Sequence, residues 1–139
     1  MLSAPATLLT AVVTLLAVLV ALWTAILVAR TRRRVGISPP ATTGSPELEC
    51  VLRVQANTVE QFIIFLPALW LAALYFQGWI PGILGLCWCA GRIVYAIGYR
   101  ADKPGARAPG FFIAILSTLA LIVLAAIGIV QAWMAVSAA

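Results

Sequence analysis

The chain has 139 residues, 64% of them hydrophobic and only 9% charged, with a mean hydropathy of +1.10 and a formal net charge of +5. A soluble domain of this length has no interior large enough for that much apolar surface, so the composition excludes the soluble globular class and points to an integral membrane protein. The nine basic residues sit in short clusters between apolar runs, where membrane lipid or an anionic ligand is the natural partner and nucleic acid is not.

There is no histidine, which excludes a histidine-dependent triad and a histidine metal site. Cys87 and Cys89 form a lone C-x-C inside an apolar run, and Cys50 stands apart. They read as small hydrophobes rather than metal ligands or a disulfide, so no metal site is expected.

In chain order, the first apolar run carries only Thr and Trp as polar interruptions and ends in Arg30, Arg32, Arg33 and Arg34. It is too long for a signal-peptide core and should remain as a span. The arginine cluster fits a topological role, holding that end in the cytoplasm. The next stretch, 36–46, is rich in Pro, Gly, Ser and Thr; Pro39-Pro40 excludes a helix interior and predicts an extended connector. Pro46 suits a first helical turn, followed by Glu47 and Glu49, where carboxylates meet the positive end of the helix dipole. The second helix should protrude on the cytoplasmic side and kink at Pro67. After the uncharged turn 77–82, a third span carries Arg92, Tyr95 and Tyr99 in its second half, within about 60° of one another on a helix. A loop bearing Arg100, Asp102, Lys103 and Arg107 precedes a fourth, uncharged span. The pattern predicts an all-α, four-helix membrane bundle forming one domain over 1–139, with spans at about 8–29, 47–76, 81–100 and 110–136.

Every Lys and Arg lies in the first or third loop or in the adjoining helix ends. The positive-inside rule then places both termini outside and these loops in the cytoplasm. Compact loops and no visible targeting extension fit a bacterial inner membrane. On the second helix, Glu49, Arg53, Asn57 and Glu60 fall within about 80° of arc. A charge at the bilayer centre costs about 2.5–3.5 kcal/mol, so such groups should pair or line a wet pocket. A purely structural role is open, with Glu60 pairing Arg92 or Arg53 to hold two helices together. The excess of cations, the two tyrosine hydroxyls and the Asn57 amide favour instead a small anionic or zwitterionic ligand bearing carboxylates.

Several elements together resemble the MAPEG family, the membrane-associated proteins of eicosanoid and glutathione metabolism. They are Pro39-Pro40-Ala41-Thr42-Thr43-Gly44, Glu47-x-Glu49, Arg53-x-Gln55-x-Asn57-x-x-Glu60, Gly91-Arg92-x-x-Tyr95-x-x-Gly98-Tyr99 and Arg107-Ala108-Pro109-Gly110-Phe111. The resemblance implies a homotrimer with glutathione bound between subunits on the cytoplasmic side. It implies that Arg53, Asn57 and Glu60 hold glutathione's charged ends with Gln55 nearby, and that Tyr95 and Tyr99 contact the ligand. Arg92 shares their stripe, and Arg30 matches a basic position at the end of the first span. Arg107 matches the arginine that faces the sulfur and stabilises the thiolate. Gln61 stands where leukotriene-forming members have a tyrosine, which alters one contact. The loop from Tyr99 to Arg107 is one residue longer than in those members, which leaves Arg100 and Lys103 as alternatives to Arg107.

The activity implied is that of a glutathione-dependent transferase or peroxidase acting on a lipophilic second substrate, with glutathione as co-substrate. A non-catalytic lipid-binding scaffold of the same family is the alternative. A small multidrug exporter is disfavoured, because the first span carries no carboxylate.

Overall fold

The computed structural model describes residues 4–138. Four helices follow one another: α1 (Ala4–Val35), α2 (Pro46–Tyr75), α3 (Ile80–Gly98) and α4 (Ala108–Ser137), with a 3₁₀ turn at Pro104–Arg107 leading into α4. Among the described residues there is no strand. All four segments are long and apolar enough to cross a membrane.

Local chemistry accounts for the helix ends. Ser45 caps α2 by accepting from the Leu48 backbone N–H at 3.4 Å, Pro46 opens the helix, and Glu47 and Glu49 occupy its first turn. These are favourable N-terminal positions for an acceptor, a proline and carboxylates respectively. The helix continues through Pro67 and closes with the Phe76 N–H on the Ala72 carbonyl. Gln77 and Gly78 then take positive φ and reverse the chain. Within the apolar helices the hydroxyls bond back to their own helix: Thr10 donates to the Ala6 carbonyl, and Thr118 to that of Ala114. Bonded in this way, these hydroxyls do not face hydrocarbon unpaired.

The interior is built on Val13 and Ala17 of α1, Phe65 and Leu69 of α2, Trp88 of α3 and Leu121 of α4. Phe65 stacks on Trp88 with centroids 4.0 Å apart. The α3–α4 crossing is close because two glycines meet there. A Cβ on Gly91 would lie 2.8 Å from the Ala114 nitrogen and 3.0 Å from the Gly110 carbonyl oxygen. Large apolar side chains such as Ile63, Leu116 and Ile97 cover the outside of the bundle, the arrangement a lipid solvent favours.

At the charged end α1, α2 and α4 extend beyond the expected spans, whereas α3 stops at Gly98, short of the expected 100. α1 runs on to Val35 rather than 29, because Arg32, Arg33 and Arg34 fall in its last turn, where cations meet the negative end of the dipole. The connector 36–45 is tied down there: Arg32 donates to the carbonyls of Ile37 and Ala41, and Arg34 pairs with Glu47. The up-and-down order brings the end of α1, the start of α2, the end of α3 and the start of α4 to one end of the bundle. Every charged residue of the chain but Glu60, which sits at the middle of α2, lies in these segments or in the loop between α3 and α4.

Candidate functional site

The site is built where α2, α3 and the Pro104–Arg107 turn meet. On α2, Arg53 and Asn57 lie one turn apart, and the Asn57 amide donates to the Arg53 carbonyl at 3.0 Å. That bond fixes the amide and leaves its oxygen free to accept. Tyr95 of α3 and Tyr99, the extended residue that follows Gly98 at its end, bring their rings edge to face at 5.5 Å. Arg107 reaches the same place because Gly98 lets the turn sit directly on α3. A Cβ there would overlap the Ala106 carbonyl and come within 3.1 Å of the Arg107 nitrogen. The loop is braced by the fork of Arg100 on Asp102, at 3.0 and 2.9 Å, and by the Ala106 N–H on the Lys103 carbonyl.

Together Arg53, Asn57, Tyr95, Tyr99 and Arg107 line a cleft of about 660 Å³, floored on the α4 side by Phe111 and Phe112. The lining holds two guanidinium groups and no carboxylate among the described residues. A second cleft of about 760 Å³ opens on the other side of α2, where Glu49, Arg53, Gln55 and Glu60 face Thr42 and Thr43 of the connector. The polar face of α2 is thus split, and Arg53 lines both clefts.

Three expected ligand contacts lie elsewhere. Arg92 is only 1% exposed and lines neither cleft. Its Nη2 donates to Thr58 Oγ1 at 2.7 Å, and the Thr58 hydroxyl donates in turn to the Val54 carbonyl. Gln61 has its side-chain oxygen enclosed without a partner, and Arg30 is exposed on α1 outside both clefts. Glu60 forms no ion pair with Arg92 or Arg53; the ion pairs among the described residues are Arg34–Glu47 and Arg100–Asp102. Helices α2 and α3 are joined instead by the Arg92–Thr58 bond. Thr58 is the residue that pattern reading missed. Its signal was a hydroxyl on the buried side of α2, about 100° round from Asn57.

A bundle of four membrane-length helices, with a basic and aromatic cleft at one end, defines an integral membrane protein whose polar site lies at the end of its spans. A sequence profile described as the MAPEG family matches residues 10–127. The chain belongs to that family and is a multi-pass membrane protein. It is 48% identical over 115 residues to an uncharacterised protein of Synechocystis, covering 81% of this chain and 82% of that one. It is 41% identical to leukotriene C4 synthase of Cavia porcellus over 99 residues, 71% of this chain and 66% of the relative. To human microsomal glutathione S-transferase 2 it is 37% identical over 110 residues, 79% of this chain and 74% of the relative.

Proposed function

We propose that the protein is a membrane glutathione transferase, with peroxidase activity as a variant of the same chemistry, acting on lipophilic electrophiles. The observation that carries this reading is the cleft of Arg53, Asn57, Tyr95, Tyr99 and Arg107, cationic and lined without a carboxylate. Glutathione at neutral pH is a net anion with two carboxylates, and such a cleft is complementary to it. The similarity to a glutathione S-transferase and a leukotriene C4 synthase favours the same ligand.

In this reading Arg53 and Asn57 hold the charged ends of the tripeptide, and Gln55 and Glu60 contribute from the second cleft. The Tyr95 and Tyr99 hydroxyls contact the ligand near its middle. Arg107 faces the sulfur. A free thiol titrates near pH 8.5, and lowering that by about two units takes about 2.7 kcal/mol of preference for the anion. One guanidinium in a poorly hydrated cleft supplies a preference of that size and keeps its own charge. Arg107 is favoured over Arg100, whose guanidinium is occupied by Asp102. The thiolate attacks an electrophilic carbon, forming a C–S bond as the leaving group departs with the electron pair. With a hydroperoxide, the thiolate sulfur takes the terminal oxygen as the O–O bond breaks and the alcohol leaves, and a second glutathione converts the resulting sulfenic acid to disulfide and water. The lipophilic substrate approaches over Phe111 and Phe112, exposed at 39% and 58% on the outer face of α4.

The working unit is a homotrimer. Counting back from Tyr75 at about 1.5 Å per residue, a hydrocarbon core of about 30 Å ends near Gln55. Glu60 lies inside that limit on an exposed face of α2. A carboxylate there is costly against lipid, and a second copy covering this face removes the cost and encloses the cleft around Arg53. The positive-inside rule puts the site on the cytoplasmic side and both termini outside. The compact loops and the 48% identical Synechocystis protein favour a bacterial inner membrane.

The test is conjugation of glutathione to an aryl halide by purified protein in detergent, beside an Arg107→Ala variant. The expected result at pH 7 is turnover in the wild type and a loss of about 25-fold in the variant, from a thiol whose pKa returns from about 6.5 to about 8.5. A wild type that neither binds glutathione nor conjugates it rules out the enzyme. Equal rates in both proteins rule out the role of Arg107.

A further inference from the structure

The guanidinium proposed to face the sulfur makes no hydrogen bond or ion pair of its own among the described residues. What holds Arg107 is the ring of Tyr99, over which its Cζ sits 4.4 Å from the centroid. Tyr99 is itself held edge to face by Tyr95 at 5.5 Å, with the planes at 78°. Below Tyr95, the Arg92 guanidinium lies 4.2 Å from the centroid of that ring. Arg92 is anchored by its 2.7 Å bond to Thr58 and is 1% exposed. Four side chains from two elements thus form one stack, cation on ring on ring on cation, running from the buried interior to the cleft. A buried arginine without a carboxylate is expensive, and holding two helices together needs no charge.

We infer that Arg92 is a positioning residue: through the stacked rings of Tyr95 and Tyr99 it sets the pose of Arg107, and so the ionisation of the thiol in the cleft. A ring carrying a cation on its face is electrostatically satisfied there and resists turning. Tyr95 is clamped in this way by Arg92 and is 4% exposed. It therefore offers Tyr99 a fixed edge, and Tyr99 offers Arg107 a fixed face. Arginine suits both ends, because a planar guanidinium stacks on an aromatic face and an ammonium does not. The other ionisable groups near Arg107 are Cys50 and Arg53 of α2, which lie outside this stack. The Arg92 Nε has no partner, so Thr58 and the Tyr95 ring are the contacts through which Arg92 is held.

This inference rests on the thiolate chemistry proposed above. Its test is the pH profile of kcat/KM for the electrophile at saturating glutathione in the wild type and Arg92→Leu, with KM for glutathione measured alongside. The expected result is an apparent thiol pKa raised by about one unit, from about 6.5 to about 7.5, hence a loss of about threefold at pH 7 that approaches tenfold below about pH 6 and vanishes at alkaline pH. KM for glutathione should stay within about twofold, since Arg92 touches neither cleft. A merely structural role would lower the rate equally at every pH, and that outcome overturns the inference. So does an unchanged profile. Should Arg92→Leu fail to assemble, Arg92→Lys decides. Its ammonium keeps the buried charge but does not stack on the Tyr95 ring, so the thiol pKa should still rise, and a profile equal to that of the wild type overturns the inference. A wild type that does not depress the thiol pKa overturns this inference together with the proposed function, whereas a depressed wild-type value unaffected by Arg92→Leu overturns this inference alone.

Discussion

Gly98→Ala is the substitution whose effect the packing fixes most closely. Two contributions oppose each other. Alanine in place of a helical glycine stabilises a helix by about 0.5–1 kcal/mol. Against this, the added methyl would fall on the Ala106 carbonyl, with the Arg107 nitrogen at 3.1 Å. The obstacle is backbone, which cannot swing aside like the end of a side chain, and overpacking of this kind costs about 1–3 kcal/mol. The net expectation is destabilisation by about 0.5–2 kcal/mol, which leaves the bundle folded. The part that yields is the turn, because Pro104, Gly105 and Ala106 are exposed whereas α3 is packed against α4. A displacement on the order of 1 Å moves Arg107 off the Tyr99 ring, and a misplacement of that size costs up to about 100-fold in rate. The assay is conjugation kinetics in detergent with a thermal unfolding curve on the same preparation. The expected signature is a large fall in kcat with a small fall in the unfolding midpoint. A Gly98→Ala protein that is more stable than wild type and equally active would refute the argument that the turn is seated on this glycine.

The remaining predictions use the same assays. Thr58→Val strips the buried Arg92 of its hydroxyl acceptor and should cost about 1–3 kcal/mol in stability; Thr58→Ser, which keeps the hydroxyl, should recover most of it. Asn57→Ala should raise KM for glutathione by about 5- to 30-fold with little change in midpoint, because Asn57 lines the cleft and its one hydrogen bond is local to α2; an unchanged KM removes Asn57 from the ligand contacts. Ser45→Ala removes the α2 cap and should cost about 1 kcal/mol without changing KM. Glu47→Gln breaks an exposed ion pair with Arg34 and should cost less than about 1 kcal/mol, a difference that shrinks as salt is raised.

Helix number and order were legible because four apolar runs are separated by proline, glycine and charge, signals that act locally. The start of α2 was legible for the same reason, since Ser45, Pro46, Glu47 and Glu49 each favour that position by themselves. The end of α1 was not, because the arginine cluster reads equally well as a loop and as a helical last turn. The grouping of Arg53, Asn57, Tyr95, Tyr99 and Arg107 rested on the family's motifs as much as on periodicity. Helical spacing places residues on one face of one helix but says nothing of how two helices are rotated against each other. That rotation turns Arg92 inward onto Thr58 while Tyr99, on the same stripe, reaches the cleft. It also splits the α2 face, since Glu60 and Asn57 lie close in arc yet fall on opposite sides of Arg53.

The distribution of the carboxylates separates the cations that serve the fold from those that serve a ligand. Glu47 is engaged by Arg34, and Asp102 by Arg100. Glu49 accepts from the Gly44 N–H at the foot of the connector. These contacts brace the connector, the ends of the helices it joins and the loop after α3. Among the described residues neither Arg53 nor Arg107 forms an ion pair, although Arg53 shares its second cleft with Glu49 and Glu60. Arg53 and Arg107 line the same cleft from different elements, so an anion between them is attracted by both. A ligand whose negative groups reach both guanidinium ends gains twice, as the proposed tripeptide with its carboxylates and thiolate would, whereas a monovalent ion gains at one end only.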